Sequence, residues 1–135
     1  LQFWKCAVLL SQETALRLSD CKQLEWASLG DGTITVWTEK RDMRVEVPIS
    51  TKLLNEINNC PVDDFRHCFP AFAKMASCKL SMQFSRILKS VGIEGRSFHC
   101  IRHGTIQRWR DEGISLEGIA QNAGHSNIET TRGYL

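Results

Sequence analysis

The stretch SFHCIRHG sets a histidine and an arginine, His99 and Arg102, three positions apart just after a serine suited to start a helix. On a helix that spacing puts both side chains on one face. Both then lie near the helix N-terminus, where free N–H groups and a partial positive charge already favour an anion. A guanidinium and an imidazole added there suit a phosphate oxygen. The last twelve residues, GHSNIETTRGYL, hold the only tyrosine, Tyr134, nine positions after His125. Arg17 in TALRLSD is followed by Asp20, one helical turn on, and Lys40 stands in a polar stretch.

Each of these residues has an ordinary alternative when taken singly. Arg17 can be a surface arginine, Lys40 a turn residue, His125 and Asp20 helix caps, and an HxxR pair arises often by chance. His103, four residues after His99, makes an HxxxH spacing of the kind that binds zinc, but no glutamate follows the first histidine as in HExxH. No metal is expected.

The elements that must position these groups are legible as periodic patterns. Residues 1–11 are apolar nearly all round a helix, which predicts a buried one. A short second helix is expected to carry Leu16, Leu18, Cys21 and Leu24 and to end near Trp26. Residues 33–38 and 44–49 alternate as two strands around a polar turn at 39–42 that contains Lys40. Pro48, with no N–H, ends the second strand or lies at an edge. Ser50 or Thr51 caps a helix bearing Leu53, Leu54 and Ile57. Residues 61–78 show no usable pattern. From Lys79, the apolar residues Leu80, Phe84, Ile87, Leu88 and Val91 predict an amphipathic helix stopped by Gly92. A helix follows from residue 97 to about 111, then one from Ser115 with Leu116, Ile119, Ala120 and Ala123 on one face and Gly124 as its stop. Ser126 with Glu129 makes a capping box for a last short helix carrying Tyr134.

At 135 residues, 42% hydrophobic and 24% charged, the chain has the size and composition of one globular domain. No apolar run approaches the ~18 residues of a membrane span. The opening LQFWKCAVLL lacks a basic start and a small-residue cleavage site, so it is not read as a signal peptide. It begins without methionine inside a helical pattern, so an excised domain with further chain ahead of it is expected. Net charge is +2, but residues 79–110 hold seven basic residues against one acid. Of these, Lys79, Arg86, Lys89, Arg96, Arg108 and Arg110 are candidates for contacting a polyanion. The six cysteines form no CxxC, which points to reduced, mostly buried thiols in a cytosolic protein.

Taken in order, the segments TALRLSD, TEKRDMRVEVPI, HCIRH and GHSNIETTRGY resemble the boxes of the tyrosine recombinases, the phage-integrase family. That family carries an Arg in a TGLRxSE-like segment, a Lys in a β-hairpin that ends VPL, an HxLRH box and a GHxxxxTTxxY box. Arg17 and Lys40 are 23 positions apart, as are Arg102 and His125. The departures are Ala15 for the usual Gly, Asp20 for Glu, and Cys100-Ile101 for the common Asp-Leu; none removes a reacting group.

The resemblance implies an α+β, mainly helical catalytic domain over residues 1–135 with a small antiparallel sheet, acting in site-specific DNA recombination. It implies Tyr134 as nucleophile on a DNA phosphate, Arg17 and Arg102 as clamps on its oxygens, and Lys40 as general acid. His99 is then a proton acceptor or phosphate ligand, His125 a donor to phosphate, and Asp20 the carboxylate behind Arg17. It further implies no cofactor, double-stranded DNA as partner, sister protomers in a tetramer for the longer protein, and a cytoplasmic, nucleoid-associated location. Type IB topoisomerase-like nicking and resealing, or a silent DNA-binding domain of the same fold, are the alternatives. Because a short helix near a chain end is marginal alone, the fragment is expected to be a monomer with residues 127–135 mobile and Tyr134 not held beside Arg102.

Overall fold

The computed structural model of the chain describes residues 2–38, 43–62, 64–124 and 128–135. Helix α1, Gln2–Thr14, is its centre: Phe3, Trp4, Cys6, Ala7, Leu10, Ser11 and Thr14 are buried, so the helix is covered on most sides as its pattern predicts. It packs against α2 (Leu18–Lys22), α3 (Thr51–Asn58) and α6 (His99–Asp111) and touches the sheet. It ends at Ala15, which takes a φ of +59°.

The second helix is shorter than expected. It stops at Lys22, and a separate 3₁₀ turn covers Trp26–Ser28. The reason is tertiary. Leu24 accepts from the Cys68 N–H at 2.9 Å and the Trp26 N–H donates to the Arg66 carbonyl at 3.0 Å, so residues 24–26 run strand-like beside 66–68 instead of continuing a helix. The same pairing organises part of the patternless region, as an antiparallel bridge between Glu25 and His67. The Trp26 indole N–H donates to the Asp64 carbonyl at 3.1 Å. Lys22 is buried with its Nζ donating to the Met75 carbonyl at 2.6 Å.

Strands β1, Thr33–Thr38, and β2, Met43–Pro48, form a two-stranded antiparallel sheet in register from Thr33 opposite Pro48 to Thr38 opposite Met43. Ile34 and Val47 are cross-strand partners and both are buried, while Arg44 and Glu46 are exposed, the alternation of a half-buried ribbon. The expected turn at 39–42 lies outside the described residues.

Ser50 caps α3 by accepting from the Leu53 N–H at 3.1 Å, and its own N–H and hydroxyl both donate to the Glu13 carboxylate at 2.7 Å. A four-residue helix α4, Pro70–Ala73, lies in the region left unread, where Phe72 stacks on Phe3 with ring centroids 4.1 Å apart. Helix α5, Ser77–Ser90, buries Leu80 and Phe84. Val91, expected on that apolar face, is instead 67% exposed. The helix has already ended: Gly92 turns the chain at φ +82°, with the Ile93 N–H donating to Leu88 and the Gly92 N–H to Lys89.

Helix α7, Leu116–Asn122, is capped by Ser115, whose hydroxyl accepts from the Gly118 N–H at 3.1 Å. Helix α8, Ile128–Arg132, stops two residues before Tyr134, which sits in the following turn and not on the helix as expected. The proposed cap Ser126 lies outside the described residues. Phe3, Trp4, Phe69, Phe84 and Phe98 belong to the main core, and a second cluster of Ala15, Ile106, Trp109, Ile119 and Ala123 joins α6 to α7. All six cysteines are free; Cys6, Cys21, Cys60 and Cys68 are buried, and Cys78 and Cys100 are exposed. No described helix is long and apolar enough to cross a membrane.

Candidate active site

The site is built where α6 crosses the end of α1. A helix C-terminus leaves carbonyls without partners in the helix, and here the side chains of α6 supply them. The Thr105 hydroxyl lies 2.8 Å from the Ser11 carbonyl and 3.1 Å from that of Gln12. Arg108 Nη2 donates to the Gln12 carbonyl at 2.8 Å. Arg102 Nη1 donates to the carbonyl of Ala15. These contacts fix the chain that leaves α1, and with it Arg17, against the first turns of α6.

Arg102 is 1% exposed, and its guanidinium ties three elements together. Besides Ala15, Nη2 donates to the Ala123 carbonyl at the end of α7 at 3.1 Å, and Nε donates to the Tyr134 hydroxyl at 3.3 Å. A carbonyl at a helix C-terminus carries partial negative charge, so the cation is well placed there. Its Cζ also lies 5.6 Å from the centre of the Tyr134 ring.

Tyr134 Oη is 2.9 Å from His99 Nε2. Its ring lies 5.6 Å from that of His99 and 5.4 Å from that of His103, centre to centre. The expectation that Tyr134 is not held beside Arg102 is therefore overturned. The physical reason is that α8 is not a helix on its own: Thr131 is fully buried, α8 packs on α7, and the Tyr134 ring packs against the second core cluster. Helix length alone says nothing of the tertiary contacts that its one buried threonine makes.

Beside these groups lies a cleft of about 340 Å³ lined by Arg17, Ser19, Ser77, Ser81, His99 and Arg102, among others. Arg17 precedes α2 in extended conformation, and its carbonyl accepts from the amide of the buried Asp20 at 3.0 Å. Two guanidiniums, an imidazole and several hydroxyls around one opening suit a tetrahedral oxyanion.

Lys40 and His125 lie outside the described residues, as does Arg41 beside Lys40. Of the basic candidates, Lys79, Arg86, Lys89 and Arg96 are exposed. Arg108 and Arg110 are also exposed but engaged: Arg108 holds the Gln12 carbonyl and lies 3.6 Å from Glu112, and Arg110 lies 3.2 Å from Asp111. Among the described residues, no group of three or more His, Cys, Asp or Glu could hold a metal ion. In the HxxxH spacing, His103 Nε2 faces the Gln107 amide nitrogen at 3.0 Å. In the sequence His103 closes the HCIRH box and makes the HxxxH spacing, while Gln107 and Thr105 belong to no motif. The signal for His103 was its place one turn after His99; nothing local marks Thr105.

Residues 3–135 match the model of the phage integrase family. A tyrosine recombinase XerC of Chlamydia trachomatis serovar D is 25% identical over 142 residues, which cover 96% of this chain and 45% of that protein. The chain thus spans about half the length of the relatives it matches. Among solved structures, XerA recombinase superposes with a TM-score of 0.82 at 17% identity over 98% of this chain and 53% of that one. The Tn1549 transposon integrase in complex with transposon right end DNA gives a TM-score of 0.82 at 17% identity, over 98% of this chain and 54% of that one. A lambda integrase dimer bound to a COC′ core site gives 0.76 at 18% identity, over 98% and 51%. At these identities the structural likeness is one of fold.

Proposed function

The chain belongs to the phage integrase family, and from that premise we propose that it is the catalytic domain, residues 1–135, of a DNA strand-exchange enzyme acting in site-specific recombination. The observation that carries this reading is the hydroxyl of Tyr134 set between His99 Nε2 at 2.9 Å and Arg102 Nε at 3.3 Å, within one chain.

In the proposed reaction Tyr134 Oη attacks the scissile phosphorus. The P–O5′ bond breaks, a 3′-phosphotyrosyl bond forms, and the departing 5′ oxygen takes a proton. A phenol is a weak nucleophile until its proton is drawn off, and His99 is at hydrogen-bond distance to accept it. Arg17 and Arg102 clamp the non-bridging oxygens, where charge builds in the transition state. Lys40 supplies the proton to the 5′ oxygen and His125 donates to the phosphate. Asp20 supports Arg17. Because the phosphodiester energy is kept in the phosphotyrosyl bond, a second 5′ hydroxyl reseals the strand with no cofactor.

Double-stranded DNA is the proposed partner, gripped through its phosphates by Lys79, Arg86, Lys89 and Arg96, with Arg108 and Arg110 contributing less because they are already engaged. For the longer protein the proposed further partners are sister protomers in a tetramer, and the proposed location is the cytoplasm, on the nucleoid; this chain alone is proposed to be a monomer.

The test is covalent trapping on nicked duplexes, whose short cleaved strand diffuses away and prevents resealing. A denaturant-stable protein–DNA complex is expected. Its absence over a random-sequence pool, at concentrations that saturate binding, would overturn the reading. Relaxation of plasmids lacking any selected site would favour nicking and resealing over strand exchange.

A further inference from the structure

His103 is not needed by the reaction above, yet it touches the proposed nucleophile. Helix α6 carries His99, His103 and Gln107 at four-residue intervals, so the three form one ridge. His99 bonds the phenol oxygen, and the His103 ring meets the Tyr134 ring edge-on, at 5.4 Å between centres and 67° between planes. One turn further, the Gln107 amide nitrogen lies 3.0 Å from His103 Nε2. With that amide donating, Nε2 is the acceptor and the neutral imidazole carries its proton on Nδ1.

We propose that His103, held by Gln107, is a positioning residue that sets the angle of the Tyr134 ring for attack. The inference rests on the proposed function of Tyr134. The hydroxyl contacts to His99 and Arg102 fix the phenol oxygen, and buried Thr131 seats the segment that carries the ring. Rotation of the ring about its long axis is then left to the groups that touch the ring itself, the second core cluster and the His103 edge. The His103 edge is the polar, adjustable one of these contacts, and Gln107 holds it in place. A misplacement of about 1 Å in a reacting atom can cost on the order of a hundredfold in rate.

The test uses the single tyrosine of the chain. Tyrosine labelled with ¹³C at Cζ gives one resonance, which reports the setting of this ring without DNA. His103→Leu, which removes both the ring edge and the bond to Gln107, is expected to shift and broaden that resonance and to slow covalent trapping by roughly ten- to a hundredfold. DNA affinity should stay within about twofold. His103→Phe restores an aromatic edge and should recover the resonance and most of the rate. Should His103→Leu fail to fold, Gln107→Leu reads the same signal, with a smaller shift expected.

A His103→Leu protein with the wild-type resonance and trapping rate overturns the proposal, as does a His103→Phe protein as slow and as shifted as His103→Leu. The two readings can fail separately. If the wild type traps no DNA the function is wrong, while the resonance still decides whether His103 sets the ring.

Discussion

Arg102 donates to the carbonyl of Ala15, the one described residue other than glycine with a positive φ. The left-handed conformation turns the chain sharply out of α1 and presents that carbonyl to the guanidinium. It costs an L-residue about 1–2 kcal/mol, a cost that a glycine at this position would avoid. Ala15 is also fully buried, so its methyl returns about 0.8 kcal/mol in the second core cluster. The two nearly cancel. Ala15→Gly is expected to stay within about 1 kcal/mol of wild type, whereas Ala15→Val, β-branched at positive φ, should lose about 2 kcal/mol or more. Urea unfolding checks both; an Ala15→Val protein as stable as wild type would refute the conformation.

Arg102→Lys is expected to destabilise the fold as well as disable the site. A single ammonium cannot reach the Ala15 and Ala123 carbonyls and the Tyr134 hydroxyl together. At least one buried carbonyl then loses its partner, a loss of about 2–4 kcal/mol. Chemical denaturation of the variant measures it, and unchanged stability would mean that the guanidinium is not a structural bridge.

The cysteines should divide sharply. Cys100 is exposed, and the Ser97 N–H bonded to its sulfur holds the thiol below its ordinary range, so it should alkylate first, ahead of the exposed Cys78. Burial pushes Cys6 and Cys68 up to about 12. Their raised values favour the folded state fully below the ordinary thiol value near 9 and progressively less as pH rises toward 12. Peptide mapping after brief iodoacetamide treatment and melts across that alkaline window test the two statements. Early labelling of Cys21 or Cys6, or melts flat with pH, would contradict them.

Lys40→Ala should slow cleavage while leaving Tyr134 competent. A substrate with sulfur at the 5′ bridging position needs no proton to depart, so it should restore the variant. If it does not, the general acid is another residue, with His99 the first to examine.

Much of the fold was legible because it is written in local periods. The hairpin, α5, α6 and α7 lie within a few residues of where alternation, apolar spacing and caps put them. What stayed hidden depends on partners far away in the chain. Residues 24–26 look helical until they pair with 66–68. Thr105 and Arg108 look like surface or core residues until they cap α1. In the site, His99, Arg102 and Tyr134 could be picked out by type and order, but that Tyr134 is already seated could not, because Thr131 and the second core cluster hold it there.

The central claim is that Tyr134 itself becomes bonded to DNA. The most direct measurement digests the trapped complex with nuclease and protease and sequences the modified peptide by mass spectrometry. The account predicts a nucleotide joined through its 3′ phosphate to Tyr134, and no adduct in Tyr134→Phe, whose DNA affinity stays within a few fold of wild type. An adduct on any other residue, or wild-type levels of covalent complex in Tyr134→Phe, would contradict it.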